Sequence, residues 1–371
     1  MKTNVLRIVA LLLMLIMVLS ACAPLSNNGG DEESGDVTTE ENVTGIPTTN
    51  ELTTDEPTTD TLTTTEAPTT EELTTEELTT EDPTTDSSVN EPIVNKDLKI
   101  LMIGNSFCYY FVEELYAIAK ADGLNLTVAN LYASGCSVGE HWQNGVTNKD
   151  RYYEFYVTSN RGGRKKVSEA TTLDYALEYR EWDVISLQQH FYPVMAMNYD
   201  LALSQTESNA KNLYDYIRTK NPTADLYWHQ TWAYQVGYPV AGSDTPIDNV
   251  ETQTLTHNNI KAVSQIIAQD NSVNLIPAGD AWQVARADSR VGDVLCARLG
   301  ANDGLGDCYH DGDIGGGQYL NACVWYEVLT RQSCIGNTWR PNYELSEERI
   351  AALQEAAHAA VAAVYGENYV E

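Results

Sequence analysis

From residue 98 onward, short apolar runs alternate with longer stretches in which hydrophobic residues recur at helical spacing. Continuous apolar runs are typical of strands buried on both faces, and their alternation with helices indicates a parallel sheet. The predicted strands cover residues 98–103, 126–131, 183–187, 226–228 and 273–276. The predicted helices cover residues 111–121, 170–179, 201–220, 255–270, 319–330 and 346–365. Since crossovers between parallel strands are right-handed, we expect an α/β fold: a three-layer α/β/α sandwich with a central five-stranded parallel sheet.

The first 22 residues have the pattern of an export signal. Lys2 and Arg7 accompany an apolar run over residues 8–19, which is shorter than the roughly 20 residues that span a membrane. The run ends in Leu-Ser-Ala-Cys at residues 19–22, which resembles the lipobox of bacterial lipoproteins. That resemblance implies cleavage before Cys22 and attachment by acyl chains to the extracytoplasmic face of the cell membrane. An ordinary signal peptide that happens to contain a cysteine is the alternative.

Between the predicted signal peptide, residues 1–21, and the folded region lies a segment over residues 22–95 built of Thr-Thr-Glu and Thr-Thr-Asp units. Residues 23–95 hold no Lys or Arg and few side chains that can be buried, so we predict a disordered stalk. The formal net charge is −31 for the chain and −14 for residues 96–371, the predicted folded domain. A domain with this acidic balance is not expected to bind nucleic acid or to act on anionic polymers.

Seven cysteines occur, and six remain once the predicted lipidation site at Cys22 is set aside. Disulfides are allowed in an exported domain, but the sequence does not choose among the many possible pairings. Free, buried thiols are an equal alternative, because a domain of this size buries a core without cross-links.

Ligands bind at the carboxyl ends of the strands in such sheets, so the residues after each predicted strand are candidates for chemistry. Ser106 follows the first strand, on a tight turn before a helix, where free N–H groups stabilise developing negative charge. A serine there can equally be a helix cap. The loop after the second strand contains Gly-x-Ser-x-Gly around Ser137, the nucleophile pattern of α/β-hydrolases. That pattern normally follows several strands, whereas one precedes this loop, so we interpret residues 135–139 as a glycine-rich loop that a ligand can approach closely.

Two later segments carry polar side chains suited to acyl transfer. Gln188 and Gln189 follow the third predicted strand, where an amide side chain can donate to an oxyanion or hold neighbouring backbone. Asp307 and His310 lie in a late loop, at a spacing that lets the aspartate orient the histidine as a general base. A calcium site is the alternative for this loop, although the spacing of an EF-hand is not met. Its ligands would be Asp303, Asp307, Asp311 and Asp313.

In this order the residues resemble the SGNH/GDSL hydrolase superfamily, with similarity over residues 99–330. The resemblance implies the flavodoxin-like fold of that superfamily, a catalytic triad and an oxyanion hole. The implied site residues are Ser106, Asp307 and His310 for the triad, and Ser106, Gly135 and Gln188 for the oxyanion hole.

Three features depart from the superfamily pattern. Gly-Asn-Ser, with Asn105 in the middle, stands in place of Gly-Asp-Ser. Gln188, or Gln189 beside it, stands in place of an asparagine, and His190 and Asp311 add polar neighbours. These departures leave the substrate open, because the superfamily cleaves acyl esters of sugars, lipids and other small molecules.

The sequence predicts a serine esterase that removes acyl groups, above all acetyl groups, from carbohydrate or another small ester at the cell surface. Three aromatic residues near the strand ends are candidates for stacking on sugar rings, although core packing would explain them as well. They are Trp142, Trp232 and Tyr234. The alternative is a non-catalytic, glycan-binding or adhesive surface lipoprotein that has inherited a hydrolase-like fold. We expect a monomer that needs no metal and no cofactor.

Overall fold

A seven-stranded mixed sheet forms the centre of the part of the chain that the structure, a computed structural model, describes. The described residues are 97–147, 153–159, 163–236, 247–291, 316–341 and 345–370. The predicted signal peptide, the lipidation site at Cys22, the stalk and the loop with Asp307 and His310 lie outside them. The strands are β1 Leu98–Gly104, β2 Leu126–Tyr132, β3 Tyr153–Ser159, β4 Gly163–Thr171, β5 Val184–Gln188, β6 Asp225–His229 and β7 Asn274–Ile276.

The strand order β4-β3-β2-β1-β5-β6-β7 confirms the fold class and corrects the strand count. Strands β2, β1, β5, β6 and β7 run parallel and correspond to the five predicted strands. The additional pair, β3 and β4, is an antiparallel hairpin that continues the sheet beyond β2. The prediction of a purely parallel five-stranded sheet is therefore wrong, although its parallel part is confirmed.

Nine α-helices lie in the described ranges, and three of them, α2, α4 and α7, lie outside the predicted helix ranges. The helices are α1 Val112–Ala121, α2 Val138–Glu140, α3 Leu173–Glu178, α4 Pro193–Ala196, α5 Tyr199–Lys220, α6 Val250–Asn271, α7 Ala278–Ala287, α8 Gly317–Thr330 and α9 Glu347–Tyr365. Side-chain caps fix three of the long helices at their first residues: Asn198 for α5, Asn249 for α6 and Ser346 for α9. No helix in these ranges is both long enough and apolar enough to cross a membrane.

Two apolar layers cover the two faces of the sheet and complete the three-layer sandwich. One layer contains side chains of α1, α7, α8 and α9. The other contains side chains of α3, α4, α5 and α6. Helix α8 is buried along its whole length, because α1, α7 and α9 pack around it. Most of its side chains are apolar, which suits a helix that has no face in contact with water.

The two edges of the sheet differ. The hairpin forms one edge, and its outer strand β4 carries Arg164, Lys165 and Lys166. Strand β7 forms the other edge, where the Tyr365 hydroxyl of α9 donates to the Leu275 carbonyl at 2.6 Å and accepts from the Leu275 N–H at 2.9 Å. The edge backbone of β7 is therefore partly occupied by a side chain rather than by another strand.

Candidate active site

Ser106 lies on a turn that strand β1 delivers to the carboxyl edge of the sheet, between β2 and β5. It begins a short 3-10 helix, Ser106–Cys108, and its side chain is half-buried. Asn105 caps this helix by accepting from the Phe107 N–H at 3.0 Å. Gly104 lets the turn approach β5, because a Cβ atom there would lie 2.7 Å from Gln188 Cγ. The sequence Gly-Asn-Ser thus places a serine hydroxyl where ligands bind in parallel α/β sheets.

Asn105 joins the turns after three neighbouring strands. Its Oδ1 accepts from Gln188 Nε2 at 2.6 Å, and its Nδ2 donates to the Cys136 carbonyl at 3.0 Å. Asn105 and Gln188 are 0% and 1% exposed, so these bonds are shielded from water. A carboxamide nitrogen carries two hydrogens, so one hydrogen of Gln188 Nε2 remains for another acceptor.

The next two residues after β5 hold the loop after β2. Gln189 Oε1 accepts from the Val138 N–H at 3.0 Å. Gln189 Nε2 donates to the Thr206 hydroxyl at 2.9 Å. His190 Nδ1 lies 3.0 Å from the Gly135 carbonyl, close enough for a hydrogen bond. We call Asn105, Gln188, Gln189 and His190 the strand-end clamp.

Gly135 occupies the left-handed region with φ +59°, which favours glycine. Ser137, two residues later, is a helix cap rather than an exposed side chain on a strained turn. Its hydroxyl accepts from the Glu140 N–H at 3.2 Å, and the Glu140 carboxylate accepts from the Ser137 N–H at 2.8 Å. This reciprocal pair is a capping box. The arrangement supports the interpretation of residues 135–139 as a loop and not as a nucleophile turn.

Two cysteines lie beside the Ser106 turn but are poor nucleophiles. Cys108 and Cys136 are fully buried free thiols. Burial raises the pKa of the Cys108 thiol to about 12, so it stays protonated at neutral pH. Cys323 and Cys334 are also free and buried, so each of the four cysteines in the described ranges is a thiol.

The sequence model of a domain of unknown function, DUF4886, matches residues 99–360. The chain belongs to the DUF4886 family. A crystal structure of a DUF4886 family protein from Bacteroides uniformis is 29% identical in sequence, with a TM-score of 0.60, and the match covers 73% of this chain and 96% of that chain. No curated protein matches this DUF4886 chain.

Solved structures of a putative lipase and of a carbohydrate esterase are more distant from this DUF4886 chain. A putative GDSL-like lipase from Parabacteroides merdae is 13% identical with a TM-score of 0.42, over 65% of this chain and 99% of that chain. A family 3 carbohydrate esterase from Clostridium thermocellum is 15% identical with a TM-score of 0.36, over 62% of this chain and 94% of that chain. Similarity at this level does not bear on chemistry, so the function of the DUF4886 site has to be argued from its own side chains.

The structure brings Ser106, Gly135 and Gln188 together at the ends of three neighbouring strands. Asp307 and His310 fall outside the described residues, as do the four aspartates of the alternative calcium site. Within the described ranges, no three His, Cys, Asp or Glu side chains are grouped so that they could hold a metal ion. The triad of this DUF4886 protein therefore stays a prediction, whereas the position of the serine is observed.

The three aromatic residues proposed for sugar stacking lie largely in packed surroundings. Trp232 is 4% exposed and stacks on Trp282 with ring centroids 4.5 Å apart. Tyr234 is buried, and Trp142 packs against the core layer that contains α5 and α6. At least one face of Trp232 is thus occupied by another indole, which favours core packing over sugar stacking at that residue.

A second polar cluster of the DUF4886 domain follows β6 and β7. The Asp280 carboxylate lies 3.1 Å from His257 Nε2 and 2.9 Å from Lys261 Nζ. The Gln230 side chain accepts from the Asp280 N–H at 3.1 Å. Burial raises the pKa of Asp280, but hydrogen bonds from His257 and Lys261 outweigh it, so the net pKa is lowered and the carboxylate is charged. We call Gln230, His257, Lys261 and Asp280 the ion cluster.

His229 lies at the end of β6, on the sheet between the two clusters. Its ring is fully buried, with Phe111 and Trp325 at ring-centroid distances of 5.8 Å and 5.3 Å. Neither ring nitrogen has a hydrogen-bond partner within the described residues. Burial lowers the pKa of His229 to about 3, so the ring is neutral. A permanently neutral histidine among apolar rings is suited to packing and not to proton transfer at neutral pH.

Proposed function

We propose that this DUF4886 protein is a serine esterase that uses Ser106 as its nucleophile and removes acyl groups, above all acetyl groups, from carbohydrate or another small ester. The observation that carries the proposal is the position of Ser106. It lies at the carboxyl edge of the sheet, on a turn that buried amide side chains fix against the loops after β2 and β5. Fixed donors beside a nucleophile are what acyl transfer requires, since they stabilise the oxyanion without reorganising.

In the proposed mechanism, the Ser106 hydroxyl attacks the ester carbonyl and forms a tetrahedral oxyanion. The oxyanion accepts from the backbone N–H groups of Ser106 and Gly135 and from the remaining hydrogen of Gln188 Nε2. His310 takes the serine proton and returns it to the leaving alcohol, and Asp307 orients His310. Water then attacks the acyl-enzyme while His310 takes a proton from it. The proton returns to Ser106, and the carboxylic acid is released.

The proposed location follows from residues 1–22. A lipid on Cys22 would anchor the mature protein on the extracytoplasmic face of the membrane, and residues 23–95 would hold the domain away from it. The substrate would then be an ester presented outside the cell.

The test compares two serines in the full-length protein. A small acyl ester such as p-nitrophenyl acetate reads turnover, and a fluorophosphonate probe with peptide mass analysis reads the reactive serine. Ser106→Ala should lower turnover by roughly 10⁴-fold or more and abolish labelling, because a missing nucleophile is not compensated by the rest of a triad.

Ser137→Ala is the matched control. It removes a helix cap worth about 1 kcal/mol and should keep most of the activity. A probe adduct on the peptide with Ser137 would overturn the assignment of the nucleophile. Tight glycan binding without turnover of any ester would favour the non-catalytic, adhesive alternative.

A further inference from the structure

A half-exposed group of aromatic rings extends the Ser106 turn over the β3–β4 hairpin. Tyr109 follows the 3-10 helix, Tyr132 ends β2 and Tyr156 lies on β3. The Tyr109 ring lies 4.8 Å from the Tyr132 ring and 4.9 Å from the Tyr156 ring, measured between centroids. The Arg164 guanidinium from β4 lies over the Tyr109 ring at 4.0 Å. We call Tyr109, Tyr132, Tyr156 and Arg164 the aromatic face.

The aromatic face is continuous with the candidate nucleophile. The Tyr109 N–H donates to the Ser106 carbonyl at 3.1 Å, so the two residues belong to the same turn. Tyr132 pairs with Gly104 in the register of β1 and β2, two residues before Ser106. Tyr156 lies on β3, where it pairs with Asn130 of β2. It is therefore one strand further from β1 and Ser106 than Tyr132 is. A ligand with its ester at Ser106 can therefore extend over these rings.

Arg164 is the cation of the aromatic face, whereas the nearby Glu154 carboxylate accepts from the Tyr156 hydroxyl and pairs with Lys166. Arg164 Nη2 donates to the Tyr109 carbonyl at 2.7 Å, and no carboxylate within the described residues pairs with it. Lys166, on the same strand, is instead neutralised by Glu154 at 3.1 Å and Glu169 at 3.0 Å. A guanidinium that lies over a ring and lacks an acidic partner is suited to bind a carboxylate of a ligand.

We propose that the aromatic face is a subsite for an acidic sugar, with the sugar ring against the tyrosines and its carboxylate on Arg164. The proposal rests on the proposed function and names the substrate class of the same site. A single uronate unit fits better than a long polyanion, because the further negative charges of a polyanion that lie close to the surface are repelled by a domain with a formal charge of −14 over residues 96–371. That repulsion is screened beyond about 8 Å at physiological salt, whereas the contact with Arg164 is direct.

The first experiment uses two esters that differ only in the carboxylate: a mono-acetylated methyl galacturonoside and the same acetylated methyl galactoside. The readout is the ratio of kcat/KM for the acidic ester to kcat/KM for the neutral ester. Arg164→Gln should lower that ratio about tenfold, the lower end of what a charge-assisted hydrogen bond contributes, because Arg164 is partly exposed. Arg164→Lys should keep part of the preference for the acidic ester, because it keeps the positive charge but loses the two-pronged geometry of the guanidinium.

Arg180→Gln is the matched control. Arg180 is also half-buried, lies over the rings of Tyr179 and Trp182, and pairs with no carboxylate in the described ranges. It precedes β5 and therefore lies at the opposite end of the strands from Ser106. Its replacement should leave the ratio unchanged, and thermal melting of each variant shows whether the fold is retained.

The second experiment measures binding without turnover. Full-length protein with Ser106→Ala is titrated with galacturonic acid and with galactose, and the acidic sugar should bind about tenfold more tightly. Adding Arg164→Gln should remove the difference. Equal affinity for the two sugars, or a kcat/KM ratio that Arg164→Gln leaves unchanged, overturns the acidic subsite. Preferential binding of the acidic sugar in a protein that hydrolyses no ester overturns the esterase proposal and leaves the subsite standing.

Discussion

The strand-end clamp and the ion cluster both lie where parallel strands end, but they differ in charge. The clamp consists of two glutamines, an asparagine and a histidine, and it bonds mainly to backbone groups of the turns beside Ser106. The ion cluster is built around the Asp280 carboxylate, which pairs with His257 and Lys261 from α6. The strand-end clamp positions loops, whereas the ion cluster joins helix α7, through the Asp280 N–H, to Gln230 directly after β6.

A buried sheet edge can therefore be polar without holding a charge that opposes the reaction. Amide groups fix geometry but add no net charge, so an oxyanion that develops beside the clamp would meet donors and no carboxylate of the clamp itself. A carboxylate beside Ser106 would oppose that negative charge. The charged cluster follows β6 and β7, on the part of the sheet that is farther from β1.

Between the two clusters, the largest expected effect is at Asn105. Asn105→Ala leaves Gln188 Nε2, the Phe107 N–H and the Cys136 carbonyl without their present partner, and should lower the free energy of unfolding by about 3 kcal/mol. Turnover of a small ester should fall about 100-fold, because a displaced nucleophile loses alignment. Denaturant unfolding and steady-state kinetics measure the two effects. Asn105→Asp keeps the acceptor and loses the donor, so its stability and turnover should lie between those of the wild type and Asn105→Ala. If Asn105→Ala loses stability but keeps its turnover, the clamp does not position Ser106.

A smaller effect, and a different one, is expected in the ion cluster. Asp280→Asn removes the charge that His257 and Lys261 face and should lower the free energy of unfolding by about 2 kcal/mol, less than a fully buried pair because Lys261 is 40% exposed. Turnover should change less than about threefold, because the bonds of Asp280 are to Gln230, His257 and Lys261 and not to the Ser106 turn.

Asp215→Asn is the control for Asp280→Asn, since the Lys211–Asp215 pair is exposed and contributes under about 0.5 kcal/mol. If Asp280→Asn lowers turnover as much as Asn105→Ala does, the two clusters do not differ in their effect on the reaction.

The smallest expected effect is a pH dependence at His229. The pKa is about 6.5 for a free histidine and about 3 for buried His229, so the unfolded chain binds a proton that the folded chain does not. Stability contributed by the neutral ring is therefore lost as pH falls below 6.5, by about 1 kcal/mol between pH 7 and pH 5.5. His229→Leu should flatten the pH dependence of the unfolding free energy in that range by this amount. An identical slope in both proteins would show that the ring titrates in the folded state.

Periodicity predicted the parallel strands and the long helices because their apolar residues repeat over many turns. It missed the hairpin of β3 and β4, and the outer strand of that hairpin, Gly163–Thr171, is polar and mostly exposed at the sheet edge. It also missed α7, which begins two residues after β7 without a separating loop. Gly279 inside α7 suggests a break, yet it is required there, since a Cβ atom would lie 2.3 Å from the Thr231 carbonyl oxygen.

The candidate site was predicted in part. Residues that end parallel strands meet at one edge, which made the segments with Ser106, Gly135 and Gln188 candidates, and the resemblance to the SGNH/GDSL superfamily gave these three residues their expected roles. The role of Asn105 could not be predicted, since its two long-range partners lie 31 and 83 residues away in sequence. The aromatic face was missed for the same reason, because a strand that was not predicted contributes Arg164.

The two edges of the sheet have a consequence for behaviour at high concentration. An open edge strand offers unpaired N–H and C=O groups to which a strand of another molecule can add, and this is a common route to aggregation. Strand β4 carries Arg164, Lys165 and Lys166 at that edge. Lys166 pairs with Glu154 and Glu169, but Arg164 and Lys165 leave a positive charge that repels a second copy of the same strand. At β7 the Tyr365 hydroxyl already occupies the N–H and carbonyl of Leu275. Both edges are therefore protected against intermolecular β-addition, by charge on one side and by a side chain on the other.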